Sequence, residues 1–116
     1  FVLGTSDERV DLRAVPTETE EHRSVFGYLT DFTDHWASVT NQNLGLTVRL
    51  EWDGTHLPHA WFWQERNSMP GRPWYGRARA IAIEPSSSTT SGPDRDKAVM
   101  LGPRAQITVP ITLTVS

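Results

Sequence analysis

Cysteine is absent from this chain of 116 residues. Its absence excludes disulfides, thiolate catalysis and zinc sites built on sulfur, but leaves the compartment open, because many secreted proteins also lack cysteine. Long hydrophobic runs are missing as well. With 37% apolar residues and no stretch approaching the roughly 20 of a membrane-spanning helix, the composition is that of a soluble chain of one domain at most. Charge of a single sign is scarce: 11 Lys and Arg against 14 Asp and Glu give a formal charge of -3 without a basic stripe. The long-range attraction that nucleic acid requires is therefore lacking. No charged and apolar leader with a cleavage site is read at the start, and the expectation is a cytoplasmic protein that engages neither nucleic acid nor membrane.

Helical periodicity is nearly absent, and period-two alternation takes its place. Over 46–53, Leu46, Val48, Leu50 and Trp52 share one face while Thr47, Arg49, Glu51 and Asp53 share the other, the pattern of a strand with one wet side. Residues 107–115 repeat it, with Ile107, Val109, Ile111, Leu113 and Val115 against Thr108, Pro110, Thr112 and Thr114. Pro110 has no N–H to donate, so that strand belongs at an edge, carries a bulge there, or has its N–H side unpaired at that point. Further strands are read at 25–29, 37–40, 61–65 and 77–84, with Asn41 to Gly45 as a hairpin turn and Asp31 to Asp34 as a loop of turn formers. Two segments are irregular: the acidic stretch Thr17 to Glu21 and the polar loop Ser86 to Lys97. The pattern predicts an all-β chain, an antiparallel β-sandwich over 1–116. The opening Phe1-Val2-Leu3-Gly4 reads as the tail of a strand whose beginning lies elsewhere, so the chain is expected to be a piece of something longer.

The chemistry concentrates between residues 57 and 85. Three of the five tryptophans, Trp61, Trp63 and Trp74, stand there beside polar side chains. Flat indole faces stack on the C–H faces of a pyranose, while amides and carboxylates take its hydroxyls. In 77–84, Ala78, Ala80, Ala82 and Glu84 fall on one face, a floor of small side chains ended by a carboxylate. Such a carboxylate can move a proton once it is partly desolvated in a cleft, or else it simply opens the turn before Pro85. Trp61 and Trp63 point to one face of their strand and Phe62 and Gln64 to the other, the indoles serving either as core or as a sugar platform. Gln64 can donate and accept simultaneously and so suits sugar hydroxyls. Trp74, behind Pro73, is either a stacking platform or a lid on the core.

Other groups carry less. Asp53, His56 and His59 are spaced by three, but Gly54 and Pro58 break any strand or helix that would align them on a metal. Asp94-Arg95-Asp96 lacks the glycine and terminal glutamate of a calcium loop, and Ser86 to Ser88 lack the glycine-flanked elbow of a hydrolase nucleophile. His22, Asp34 and His35 lie in or near loops, where a solvated role is expected.

From Val10 to Ser116 the chain resembles the C-terminal part of the aldose 1-epimerase (galactose mutarotase-like) family. The resemblance rests on the order and spacing of Val10-Asp11-Leu12-Arg13-Ala14-Val15-Pro16, Val39-Thr40-Asn41 with Leu44-Gly45-Leu46, and Leu50-Glu51-Trp52-Asp53. It continues through Leu57-Pro58 with Trp61-Phe62-Trp63-Gln64-Glu65, Pro73-Trp74-Tyr75-Gly76-Arg77, Ile83-Glu84-Pro85, and Leu101-Gly102-Pro103 before the last strand. It implies part of a large antiparallel supersandwich, an isomerase of carbohydrate metabolism that interconverts sugar anomers, and a small-molecule sugar as partner, with no cofactor and no metal. Glu84 matches the glutamate that serves the family as general base. The family's general acid is a histidine from the earlier half of the fold, and no histidine here matches it. A missing N-terminal half, or self-association in its place, is the corresponding expectation. A carbohydrate-binding β-sandwich without turnover, and a structural half-domain that completes a larger β-protein, are the alternatives.

Overall fold

The computed structural model describes residues 2–3, 9–13, 15, 22–90 and 98–116. Among these residues no helix forms. Eight strands follow one another: β1 (Val2–Leu3), β2 (Arg9–Val10), β3 (Arg23–Leu29), β4 (Trp36–Asn41), β5 (Leu46–Trp52), β6 (His59–Arg66), β7 (Arg79–Ser86) and β8 (Ile111–Val115). The first two pair antiparallel with each other, and the rest form two antiparallel three-stranded sheets ordered β3-β6-β7 and β4-β5-β8. The class is all-β with antiparallel sheets, as the alternation implies. Two compact units are present, Phe1–Leu29 with Trp61–Glu84, and Thr30–Ala60 with Pro85–Ser116.

Strand ends depart from the sequence reading for local reasons. The strand expected over 107–115 begins only at Ile111. Pro110 cannot extend the ladder as a donor; its carbonyl accepts from Asp53 N–H at 3.4 Å, and β8 takes the edge of its sheet. β7 starts two residues later than the alanine pattern, because Arg77 N–H closes a turn on the Trp74 carbonyl (2.9 Å) before the strand sets in. The acidic stretch 17–21 and residues 91–97 of the polar loop, including Asp94-Arg95-Asp96, lie outside the described residues, as do Phe1, Gly4, Ala14 and Pro16.

In the β4-β5-β8 sheet the register aligns Val39, Val48 and Val115 in one row and Ala37, Leu50 and Leu113 in the next, with Trp52 across from Ile111. The alternation read over 46–53 thus sorts a whole sheet into an apolar and a polar face. Trp52 is buried, whereas Ile111, Leu113 and Val115 are exposed. On the polar face Arg49 lies 4.1 Å over the Trp36 ring and bonds Glu51 at 3.1 Å, and the Thr40 and Thr47 hydroxyls share a hydrogen bond of 2.9 Å. The hairpin joins β4 to β5 where expected: Asn41 Oδ1 accepts from Leu44 N–H at 3.1 Å, and Gly45 supplies the φ of 60° that side chains resist.

The same unit carries an aromatic knot. Phe32 and His35, brought back by the turn at Asp31 (φ 59°), meet Trp52 edge-on at 5.2 and 5.9 Å, and Trp52 Nε1 donates to the Leu57 carbonyl at 2.8 Å. Next to it, Thr55 N–H donates to Asp53 Oδ1 at 2.8 Å and holds the Asp53 carboxyl below its ordinary range. The His35 ring lies so close over Gly54 that a Cβ added there would fall among the ring atoms.

Candidate functional site: the aromatic face of β3-β6-β7

Strand β3 alternates Ser24, Phe26 and Tyr28, all exposed, with buried Val25 and Gly27. On β6 the buried residues Ala60, Phe62 and Gln64 alternate with the half-buried indoles of Trp61 and Trp63. The two aromatic rows meet: Trp61 is edge-on to Phe26 and to Tyr28, both at 5.6 Å, and those two rings are 5.8 Å apart. Trp63 Nε1 donates to Ser24 Oγ at 2.9 Å. These contacts put Ser24, Phe26, Tyr28, Trp61 and Trp63 on one side of the sheet.

Strand β7 adds the carboxylate. It is as long as β6 and antiparallel to it, and just past the paired ends Asn67 N–H donates to the Ala78 carbonyl at 2.8 Å. Counting back from that bond sets Glu65 across from Ala80, Trp63 from Ala82 and Trp61 from Glu84. Cross-strand partners share a face, so the small-residue row ends with Glu84 beside the Trp61 indole. Glu84 is exposed.

Between β6 and β7 the chain makes a tight loop that lifts Trp74 onto this face. Trp74 and Tyr75 N–H groups both donate to the Gly71 carbonyl (3.0 and 2.8 Å), Gly76 N–H donates to Met69 O (2.7 Å), and Tyr75 and Gly76 take φ of 50° and 67°. The Trp74 ring reaches Trp63 at 5.9 Å with planes 64° apart, and remains 40% exposed. Tyr75 beside it is 60% exposed.

Glu65 is the fully buried member of this face, at 1% exposure. Burial opposes its charge, but the Ser68 hydroxyl (2.8 Å) and N–H, the Ser24 side chain and Met69 N–H outweigh burial and hold its carboxyl below the ordinary range. Four donors thus converge on one carboxylate.

The structure therefore unites three of the four residues singled out from the sequence, Trp63, Trp74 and Glu84, on one face. Gln64 goes to the other. It is 3% exposed next to Phe62, and its Nε2 has no hydrogen-bond partner among the described residues. Alternation along a strand forbids Gln64 and Trp63 from sharing a ligand on one face. Phe26, Tyr28, Ser24 and Glu65 are additions; the Ser24-Val25-Phe26-Gly27-Tyr28 alternation carried the first three in plain view.

Against known proteins nothing matches: no family model, no curated protein and no solved structure.

The chemistry of the face follows from its donors and acceptors. The Trp63 N–H is committed to Ser24, so this indole offers its ring rather than a donor. Glu84, in contrast, is exposed, so its carboxylate can meet a ligand's hydroxyls. Its exposure differs from the desolvated setting that a strong base needs, because Ala80 and Ala82 are too small to wall it off. Among the described residues, no three His, Asp or Glu side chains gather to hold a metal ion, and no helix is long and apolar enough to cross a membrane.

Proposed function

We propose that the aromatic face of β3-β6-β7 binds a pyranose and that Glu84 acts on its anomeric hydroxyl, in the manner of an aldose 1-epimerase. The observation that carries this reading is the meeting of a carboxylate, a row of alanines and an indole pair on one side of a sheet. A sugar ring set into the corner of Trp63 and Trp74, whose planes stand 64° apart, would bring its C–H face to one indole and its rim to the other, with a hydroxyl edge toward β7. Glu84 would take the proton from the anomeric hydroxyl as its oxygen forms the carbonyl, the bond from C1 to the ring oxygen breaks, and an acid protonates that oxygen. Rotation about C1–C2 and reversal of the same steps give the other anomer. The acid is not assigned to a residue of this chain.

Polarimetry on freshly dissolved α-glucose and α-galactose tests the proposal, with Glu84→Gln beside the parent chain. The parent is expected to speed the decay of optical rotation and the variant to lose at least 100-fold of that effect, of the order of a lost general base. Equal acceleration by both removes Glu84 from the chemistry.

The exposure of Glu84 favours a second reading, sugar binding without turnover, since a fully hydrated carboxylate is a weak base toward a hydroxyl. Calorimetric titration separates the two. Binding without change in the polarimetric rate selects the binding module, and absence of binding removes both.

A further inference from the structure

Glu65 has no place in the proposed chemistry, yet among the described residues of this unit it is the most deeply buried charged group, and its partners come from β3 and from the loop that follows β6. On one side, Ser24 donates to Glu65 while accepting from Trp63 Nε1. On the other, Ser68 N–H, Ser68 Oγ and Met69 N–H reach Glu65 from the first residues of the loop, and Met69 O in turn accepts from Gly76 N–H at 2.7 Å. That last bond closes the loop carrying Trp74. A continuous chain of hydrogen bonds therefore runs from the indole of Trp63, through Ser24 and Glu65, to the loop that sets Trp74 across from it.

We propose that Glu65 is the positioning residue of the sugar-binding face, its carboxylate tying Ser24 to the Ser68–Met69 turn so that Trp63 and Trp74 are held as one pair presenting ring faces and no N–H donor from Trp63. This inference rests on the proposed sugar site for its purpose, but not for its geometry. An ionised carboxylate is the group that can accept from all four donors at once. An amide in its place would turn two N–H bonds toward donors and leave them facing one another. A ligand selected by such a face is recognised by the flat C–H side of its ring, so pyranoses with all-equatorial substituents on that side are preferred over those carrying an axial hydroxyl there.

The test uses the full chain and the exciton-coupled circular dichroism of the Trp63–Trp74 pair, identified as the band that vanishes in Trp74→Phe. Glu65→Gln is expected to lose most of that band, and to bind methyl-β-glucoside about tenfold more weakly, at denaturant concentrations where the chain remains folded. A folded Glu65→Gln with the parent band intact overturns the proposal. Should that variant fail to fold, Ser68→Ala, which removes one donor and leaves the carboxylate, is expected to weaken the band in a folded chain; an unchanged band there overturns it equally. If the parent chain binds no sugar, the functional reading fails, while the dichroism still decides the role of Glu65.

Discussion

Replacing Gly54 by alanine tests how tightly the second unit is built. The new methyl would fall among the ring atoms of His35, whose backbone cannot withdraw because its carbonyl accepts from Trp52 N–H at 3.0 Å. The imidazole must therefore swing out, giving up its contacts with Phe32 at 5.5 Å and with Trp52 at 5.9 Å. Each aromatic contact of this kind contributes about 0.5–1.5 kcal/mol beyond area burial, so the expected loss is roughly 1–3 kcal/mol. Urea unfolding followed by tryptophan fluorescence reads it as a fall in the transition midpoint at constant slope. The two residues together face a sharper test. Once His35→Ala has emptied the space, adding Gly54→Ala should cost less than about 0.5 kcal/mol, so the double-mutant cycle shows strong coupling. Additive losses, or a Gly54→Ala chain as stable as its parent, would refute the steric account.

Other outcomes follow from the same structure. Because the Glu65 carboxyl is held below its ordinary value of 4.5, its ionised form is favoured by folding; its contribution is complete above that value and disappears as pH falls through the lower folded-state value. Urea midpoints measured from pH 7 down to pH 3 should therefore decline in the parent and decline less in Glu65→Gln. Trp74→Ala is expected to weaken monosaccharide binding by about tenfold in calorimetry and, through the lost Trp63 contact of a residue 40% exposed, to cost about 0.5–1.5 kcal/mol of stability. Gly45→Ala places a side chain at φ 60° in the β4–β5 hairpin and should lower stability by about 1 kcal/mol in the same urea assay. Arg49→Ala removes both the Trp36 contact and the Glu51 bond, yet at a partly exposed site the loss should stay near 1 kcal/mol or less and shrink in high salt.

Much of this molecule is written locally. The alternation over 46–52, the Asn41 to Gly45 turn and the aromatic run 61–65 each dictate their strand or hairpin through side-chain period and turn chemistry, and each appears where the residues place it. The sequence also determines that Trp61 and Trp63 oppose Phe62 and Gln64, since neighbours on a strand point to opposite faces whatever surrounds them. Pro110 already marked where β8 begins, although the apolar alternation through it reads as one longer strand. Pairing between distant segments is another matter. That β3 lies beside β6, bringing Phe26 and Tyr28 to Trp61, depends on which edges meet across 30 or more residues, and no local period encodes that choice. Glu65 shows the same limit most clearly. Within the aromatic run it is one more polar residue at a strand end, and only the folded chain, by gathering Ser24, Ser68 and Met69 around it, turns a charge that burial would expel into the tie between two indoles.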